Sequence, residues 1–289
     1  IVWCAFFVIN GSIAAFTALY NFGSEELNNK IWSIYNGGIS YVLMGLLFIV
    51  ELFIRKIVDK KMIKTYSFTK FKSDSRSDDY VLCYEEIWSS GKYKTWKDFL
   101  IDTAKLRKYI NSKDAKDWIL HCEDYWYFLV TFIALLQCKK RILLTQNISE
   151  SFIQEIKTES IEFLTDQNVD DSTLIPTLIE NAVLPTEEEF RCDIEINSDE
   201  TEILMFTSGS TGKPKAVPQR MTEFELDNAF IISKWAKEFT ARKLVTTVSQ
   251  HHIYGFLFGM SLPFTLGVPF RRTRITFPEE FEKLTDEKY

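Results

Sequence analysis

Metal-site spacing is absent from this sequence. The five cysteines, Cys4, Cys83, Cys122, Cys138 and Cys192, are scattered and form no CxxC pair. The three histidines, His121, His251 and His252, stand at no zinc spacing from them, so the pattern reads as reduced thiols in a cytosolic domain with no metal ligands. Basic charge is lacking as well. A formal charge of −6 gives no support for a nucleic-acid partner. No internal repeat or low-complexity tract is visible. Two phosphate-binding fingerprints are also missing. There is no GxGxxG, and a P-loop needs four residues between its first Gly and Gly-Lys-Ser/Thr, whereas only Ser210 and Thr211 separate Gly209 from Gly212. Pro214 then biases Lys213 away from helical geometry, so no helix begins neatly there.

Charge is missing locally too. Neither Ile1–Tyr20 nor Ile31–Val50 contains a charged residue, and each has about the 20 residues that cross a bilayer as a helix. Core helices normally keep a polar stripe, and no small-residue cleavage pattern follows the first run. The short link 21–30 is polar, and Arg55, Lys56, Lys60, Lys61 and Lys64 follow the second run. The pattern predicts an α-helical transmembrane hairpin over residues 1–64, embedded in the lipid bilayer, with everything after residue 55 in the cytoplasm. Trp32 and Tyr35 would lie near the opposite interface. Because Ile1 falls inside an apolar run and "FEKLTDEKY" reads like the surface of an unfinished domain, the chain is expected to be a fragment.

Residues 65–79 are rich in Ser, Asp and Lys, which is linker chemistry. From residue 80 to 289, helical and strand patterns alternate. Helices are predicted over 95–110 with Thr95 as N-cap, over "YWYFLVTFIALLQC", "SESFIQEIK" and "MTEFELDNAFIISKWAKEF", and over "YGFLFGMSLPFTL". Strands are predicted over "DWILHC", "RILL", "IEFLTD" and "KLVTTVS". The apolar helix that starts at Tyr125 is too short, and too closely flanked by Asp124, Lys139, Lys140 and Arg141, to span a membrane. This alternation implies an α/β domain with mainly parallel sheets flanked by helices.

The segment "FTSGSTGKPKAV", residues 206–217, remains. It follows an apolar run and offers hydroxyls, two glycines and two lysines in one loop. Glycines let the backbone approach an anion, successive N–H groups form a nest, and hydroxyls and lysines add donors and charge. A solvated turn would need only one or two such residues. The stretch closely resembles the signature loop of the AMP-forming adenylating enzymes, the superfamily of acyl-CoA synthetases, adenylation domains and luciferases. Phe206 through Lys215 match that pattern at every defined position, while Ala216 replaces the usual Gly. "QHHIYGF" resembles the family's next core motif, carried here by His252, Tyr254 and Gly255, with His251 an extra neighbour. The resemblance covers roughly residues 80–289 and implies the N-terminal part of an adenylate-forming domain.

The resemblance implies a two-step ligase. A carboxylate, fatty or aryl, attacks the α-phosphate of ATP, and a thiol of CoA or of a carrier protein's phosphopantetheine then displaces AMP. Mg²⁺ would assist the first step. Thr207, Ser208, Gly209, Ser210, Thr211, Gly212, Lys213 and Lys215 would hold the β- and γ-phosphates, and His252, Tyr254 and Gly255 would line the carboxylate pocket. The catalytic residues proper are expected downstream of Tyr289, so residues 1–289 alone are expected not to complete adenylation. Residues 35–55 look like the end of small membrane proteins encoded beside ligases in bacterial aryl-polyene-type lipid clusters. That likeness implies a bacterial inner-membrane location and an acyl carrier protein as partner. Two other readings stay open: a non-catalytic nucleotide-binding membrane scaffold, and a multi-span transporter with a soluble appendage.

Overall fold

The computed structural model describes residues 64–207, 215–239 and 242–284, all within one unit, Lys64–Tyr289. Both runs predicted to cross a membrane lie outside the described residues. Among the described residues no helix is long and apolar enough to cross one.

Two sheets form. The larger has six strands in the order β6-β5-β3-β4-β7-β8, made of β3 (Asp117–His121), β4 (Arg141–Leu144), β5 (Ile161–Thr165), β6 (Thr173–Leu174), β7 (Ile203–Thr207) and β8 (Lys215–Gln219). All neighbours in it are parallel except β7 and β8. The smaller sheet joins β1 (Val81–Tyr84) antiparallel to β2 (Tyr93–Thr95) and parallel to β9 (Phe270–Arg271). The sheets are therefore mixed and mainly parallel.

Helix α1 (Trp96–Asn111) starts where the sequence predicts. The Thr95 hydroxyl accepts from the Asp98 N–H, and the Asp98 carboxylate accepts from the Thr95 N–H, a reciprocal cap. Helix α2 (Tyr125–Gln137) is almost wholly buried, since Tyr125, Trp126 and Phe128 through Leu136 all face protein. At 13 residues it extends only about 20 Å, and it packs in the core as expected. Along β3, alternate residues serve opposite faces. Trp118 meets Tyr109 of α1 on one face, and Ile119 joins Leu143, Ile153, Ile161 and Phe163 on the other. Ile153 belongs to α3 (Glu150–Ile156). Burial on both faces explains why these strands read as continuous apolar runs.

Three expectations change here. Residues 65–79 are not a free linker: Phe68, Thr69 and Arg76 are buried, and Phe71 packs edge-on against Trp96 and Phe99. Their polar composition hid two aromatic anchors. "KLVTTVS" is no regular strand. Leu244 makes one isolated bridge to Phe270, and the backbone of this stretch instead meets residues 269–275 through scattered bonds. The helix predicted over 254–266 is α7 (Ile253–Phe256), a π-turn at Leu257–Ser261, and α8 (Leu262–Leu266), joined without a break. The chain also forms α4 (Ile175–Asn181), α5 (Glu187–Phe190), α6 (Met221–Phe239) and α9 (Glu279–Glu282).

Candidate active site

Parallel pairing brings the C-terminal ends of β3, β4, β5 and β7 to one edge of the large sheet, where ligands of open α/β sheets usually bind. The signature segment leaves from this edge. Thr207 ends β7 and pairs with Lys215, the first residue of antiparallel β8. The strand over Lys215–Gln219, where a P-loop would continue as a helix, agrees with the exclusion of a P-loop. Ser208, Gly209, Ser210, Thr211, Gly212 and Lys213 lie outside the described residues. Lys215 is exposed on β8.

The second motif reaches the same edge from the other side. The backbone N–H of Cys122, just past β3, donates to Nε2 of His251 at 3.1 Å, and the Gln250 amide donates to the Cys122 carbonyl. Tyr125 Oη donates to the Val248 carbonyl. The turn 248–252 is thereby fastened to the end of β3. His251 is buried, whereas His252 is exposed and stands at the N-cap of α7. Tyr254 is also exposed. Gly255 is buried and folds back so closely that a Cβ there would lie 1.9 Å from the Ser249 carbonyl oxygen. The sequence motif is thus split, with His252 and Tyr254 presented outward and Gly255 permitting the fold.

The sequence did not single out the groups that hold this edge together. Both carboxylate oxygens of Asp166, past β5, accept backbone N–H groups, from Glu123 at 3.0 Å and Asp124 at 2.8 Å. Asp124 caps α2 through the Trp126 N–H and pairs with Arg272 at 2.6 and 2.8 Å. Burial works against the charge of Arg272, but Asp124 more than offsets it and raises the guanidinium pKa, so it stays protonated. Arg274 pairs with Glu123 at 3.1 Å, and Glu123 faces His121 at 3.8 Å. Burial, then the nearby His121, Arg274 and His252, push the His251 pKa well below 6.5. A chemistry-bearing residue closing each strand was the available signal: His121, Thr145 and Thr165 each sit at or just past a strand's end.

Among the described residues no group of three or more His, Cys, Asp or Glu side chains could hold a metal ion. A broad groove does exist elsewhere, lined by Asp117, Arg141, Glu162 and Glu202. It lies at the amino ends of the strands, away from the carboxyl edge where β7 ends, and its lining mixes acidic and basic side chains.

A family model described as AMP-binding enzyme matches residues 131–286. A comparison with curated protein sequences gave no match. Among solved structures, apo MatB from Rhodopseudomonas palustris superposes with a TM-score of 0.58 at 12% identity, covering 76% of this chain and 47% of that one. O-succinylbenzoate coenzyme A synthetase (MenE) from Bacillus subtilis, in complex with AMP, gives 0.57 at 16% identity over 74% of this chain and 57% of that one. The NpsA N-terminal subdomain from Klebsiella oxytoca gives 0.55 at 15% identity, covering 72% and 54%. At these identities the likeness shows a shared fold. The chain spans about half the length of the solved structures it matches. Residues 35–55, with their likeness to small membrane proteins, lie outside both the described residues and the family match.

Proposed function

The chain belongs to the AMP-binding enzyme family, and from that membership we propose that its protein activates a carboxylic acid with ATP and passes the acyl group to a thiol. The observation that carries this is the antiparallel pair β7–β8 at the carboxyl edge, whose ends Thr207 and Lys215 flank the segment that resembles the adenylating signature inside the family match. In the first step a carboxylate oxygen bonds to the α-phosphorus of ATP and the bond to the β-phosphate oxygen breaks, releasing pyrophosphate. In the second a thiol sulfur attacks the acyl carbon, AMP leaves, and the thiol proton passes to solvent. CoA or an acyl carrier protein's phosphopantetheine supplies that thiol.

Charge accumulates on phosphoryl oxygens in the first step, so fixed donors and cations lower the barrier by positioning and neutralising. Thr207, Ser208, Gly209, Ser210, Thr211, Gly212, Lys213 and Lys215 take that role in this reading. His252, Tyr254 and Gly255 form the carboxylate side. Mg²⁺ is usual where ATP phosphates react, because it binds mainly through the phosphates and a few carboxylates. Without converging carboxylates among the described residues, no side chain is assigned to it. The two uncharged runs before residue 64 support tethering of the site to a membrane, and detergent-dependent extraction of the full-length protein tests that part.

The loop assignment is tested in the full-length protein with Lys213→Ala and Lys215→Ala. Each removes a cation from the triphosphate, so KM for ATP is expected to rise about tenfold or more while KM for the carboxylate stays near wild type. Equal effects on both substrates would remove the loop from the phosphate site.

A further inference from the structure

The ring of His251 is held by more partners than a turn residue needs. Nε2 accepts from the Cys122 N–H at 3.1 Å, and Nδ1 lies 2.9 Å from the Ser249 hydroxyl. Its face lies flat on His121, with centroids 4.4 Å apart and 1° between the planes, and Phe128 meets it edge-on at 5.5 Å. His121 donates from Nδ1 to the Thr145 carbonyl at 2.9 Å, past the end of β4. One buried stack therefore ties the ends of β3 and β4 to the turn that precedes α7. Its neighbour in sequence, His252, faces outward and donates its backbone N–H to the Ser249 carbonyl at 3.0 Å.

We propose that the stacked His121–His251 pair positions His252, and through it the carboxylate side of the site, without touching any reacting atom. This inference rests on the adenylation reading above and adds two residues to it. The hydrogen bonds fix the protons. Nε2 of His251 faces an N–H donor and must offer a lone pair, so its proton sits on Nδ1 and is donated to Ser249. Nδ1 of His121 faces a carbonyl and must carry its proton too. A second proton on His251 would aim two donors at each other beside Cys122.

Nothing around the ring offsets such a charge. Arg274 and His252 are basic, and Glu123 faces the stack only through His121 and is paired with Arg274. Asp166 is taken up by two backbone N–H groups, and Asp124 by Arg272. The neutral, accepting His251 is thus the state the fold is built around. A phenyl ring there would keep the stack but leave the buried Cys122 N–H unpaired. A Gln side chain places a carbonyl near the Nε2 position and restores the acceptor.

The test uses full-length protein labelled with ¹⁵N-histidine; residues 1–289 contribute three such rings. Wild type is expected to show His251 neutral, with the proton on Nδ1 and a bare Nε2. His251→Phe is expected to shift the His252 ring signals and to raise KM for the carboxylate about tenfold, the scale of one buried hydrogen bond left unmade, with KM for ATP unchanged. His251→Gln should recover both. If the Phe variant does not fold, His251→Asn replaces it, because its shorter amide falls short of the Cys122 N–H. A proton on Nε2 of His251 in wild type overturns the proposal. So does a Phe variant whose His252 signals and carboxylate KM match wild type. The spectra need no turnover: the expected tautomer and shift in a protein that forms no adenylate would support the positioning role while overturning the adenylation reading.

Discussion

Replacing Gly255 with Ala tests the packing at the site with one methyl group. Gly255 is not among the glycines with positive φ, so a methyl group there meets only steric crowding. A Cβ would sit 1.9 Å from the Ser249 carbonyl oxygen, 2.4 Å from its carbon and 2.9 Å from the Val248 oxygen, all backbone atoms that cannot rotate away. Restoring an ordinary contact means moving one backbone segment by about 1.5 Å. That displacement breaks the His252 N–H bond to Ser249 (3.0 Å) and loosens the Phe256 N–H bond to His252 (2.8 Å). Two hydrogen bonds at about 1 kcal/mol each, with an overpacking term of similar size, outweigh the roughly 1 kcal/mol by which Ala favours a helix over Gly. The net expectation is a loss of about 2–3 kcal/mol, read from urea unfolding midpoints of the full-length variant at constant m-value. A stability equal to or above wild type would refute the close approach on which the turn geometry depends.

Three further outcomes follow from the same structure. His251 stays neutral in the fold while the unfolded chain takes up its proton below 6.5, so its stabilisation is complete above that pH and lost as pH falls. Unfolding free energy should drop by up to about 1.4 kcal/mol per pH unit from this site, and wild type minus His251→Gln isolates the slope; parallel pH profiles would contradict it. Phe132→Ala should cost about 4 kcal/mol by urea titration, because the ring meets Phe68, Phe128 and Phe256 at 6.2, 5.7 and 4.9 Å in a closed core. Arg271 is buried, with Glu280 on Nη2 and no partner for Nε or Nη1. Glu280→Ala should therefore cost about 3 kcal/mol, and a second change, Arg271→Leu, should recover part of it.

Long periodic segments of this fold were legible in the sequence. α1, α2 and α6 carry continuous patterns, and β3, β4 and β5 are bounded by turns and helices, so local preference and tertiary context agree. The small sheet was not legible, because β9 is two residues long and β1 finds its partners across the chain. "KLVTTVS" has strand composition, but its backbone meets only the two-residue β9 and the residues beside it, and no local signal reveals that. Residues 65–79 misled for the opposite reason: many polar residues surround Phe68 and Phe71, whose burial depends on Trp96, Phe99 and Phe264. The candidate motif residues stood out in the sequence by their chemistry and spacing. The frame behind them, His121, Cys122, Asp124 and Asp166, acts through hydrogen bonds between separate strand ends, which only the fold brings together.

The most direct measurement is carboxylate-dependent exchange of labelled pyrophosphate into ATP by the full-length protein, across a panel of fatty and aryl acids. Exchange that needs an acid is expected, with AMP formed once CoA or a carrier-protein thiol is supplied. No exchange with any acid, or cleavage of ATP to ADP and phosphate, would contradict it.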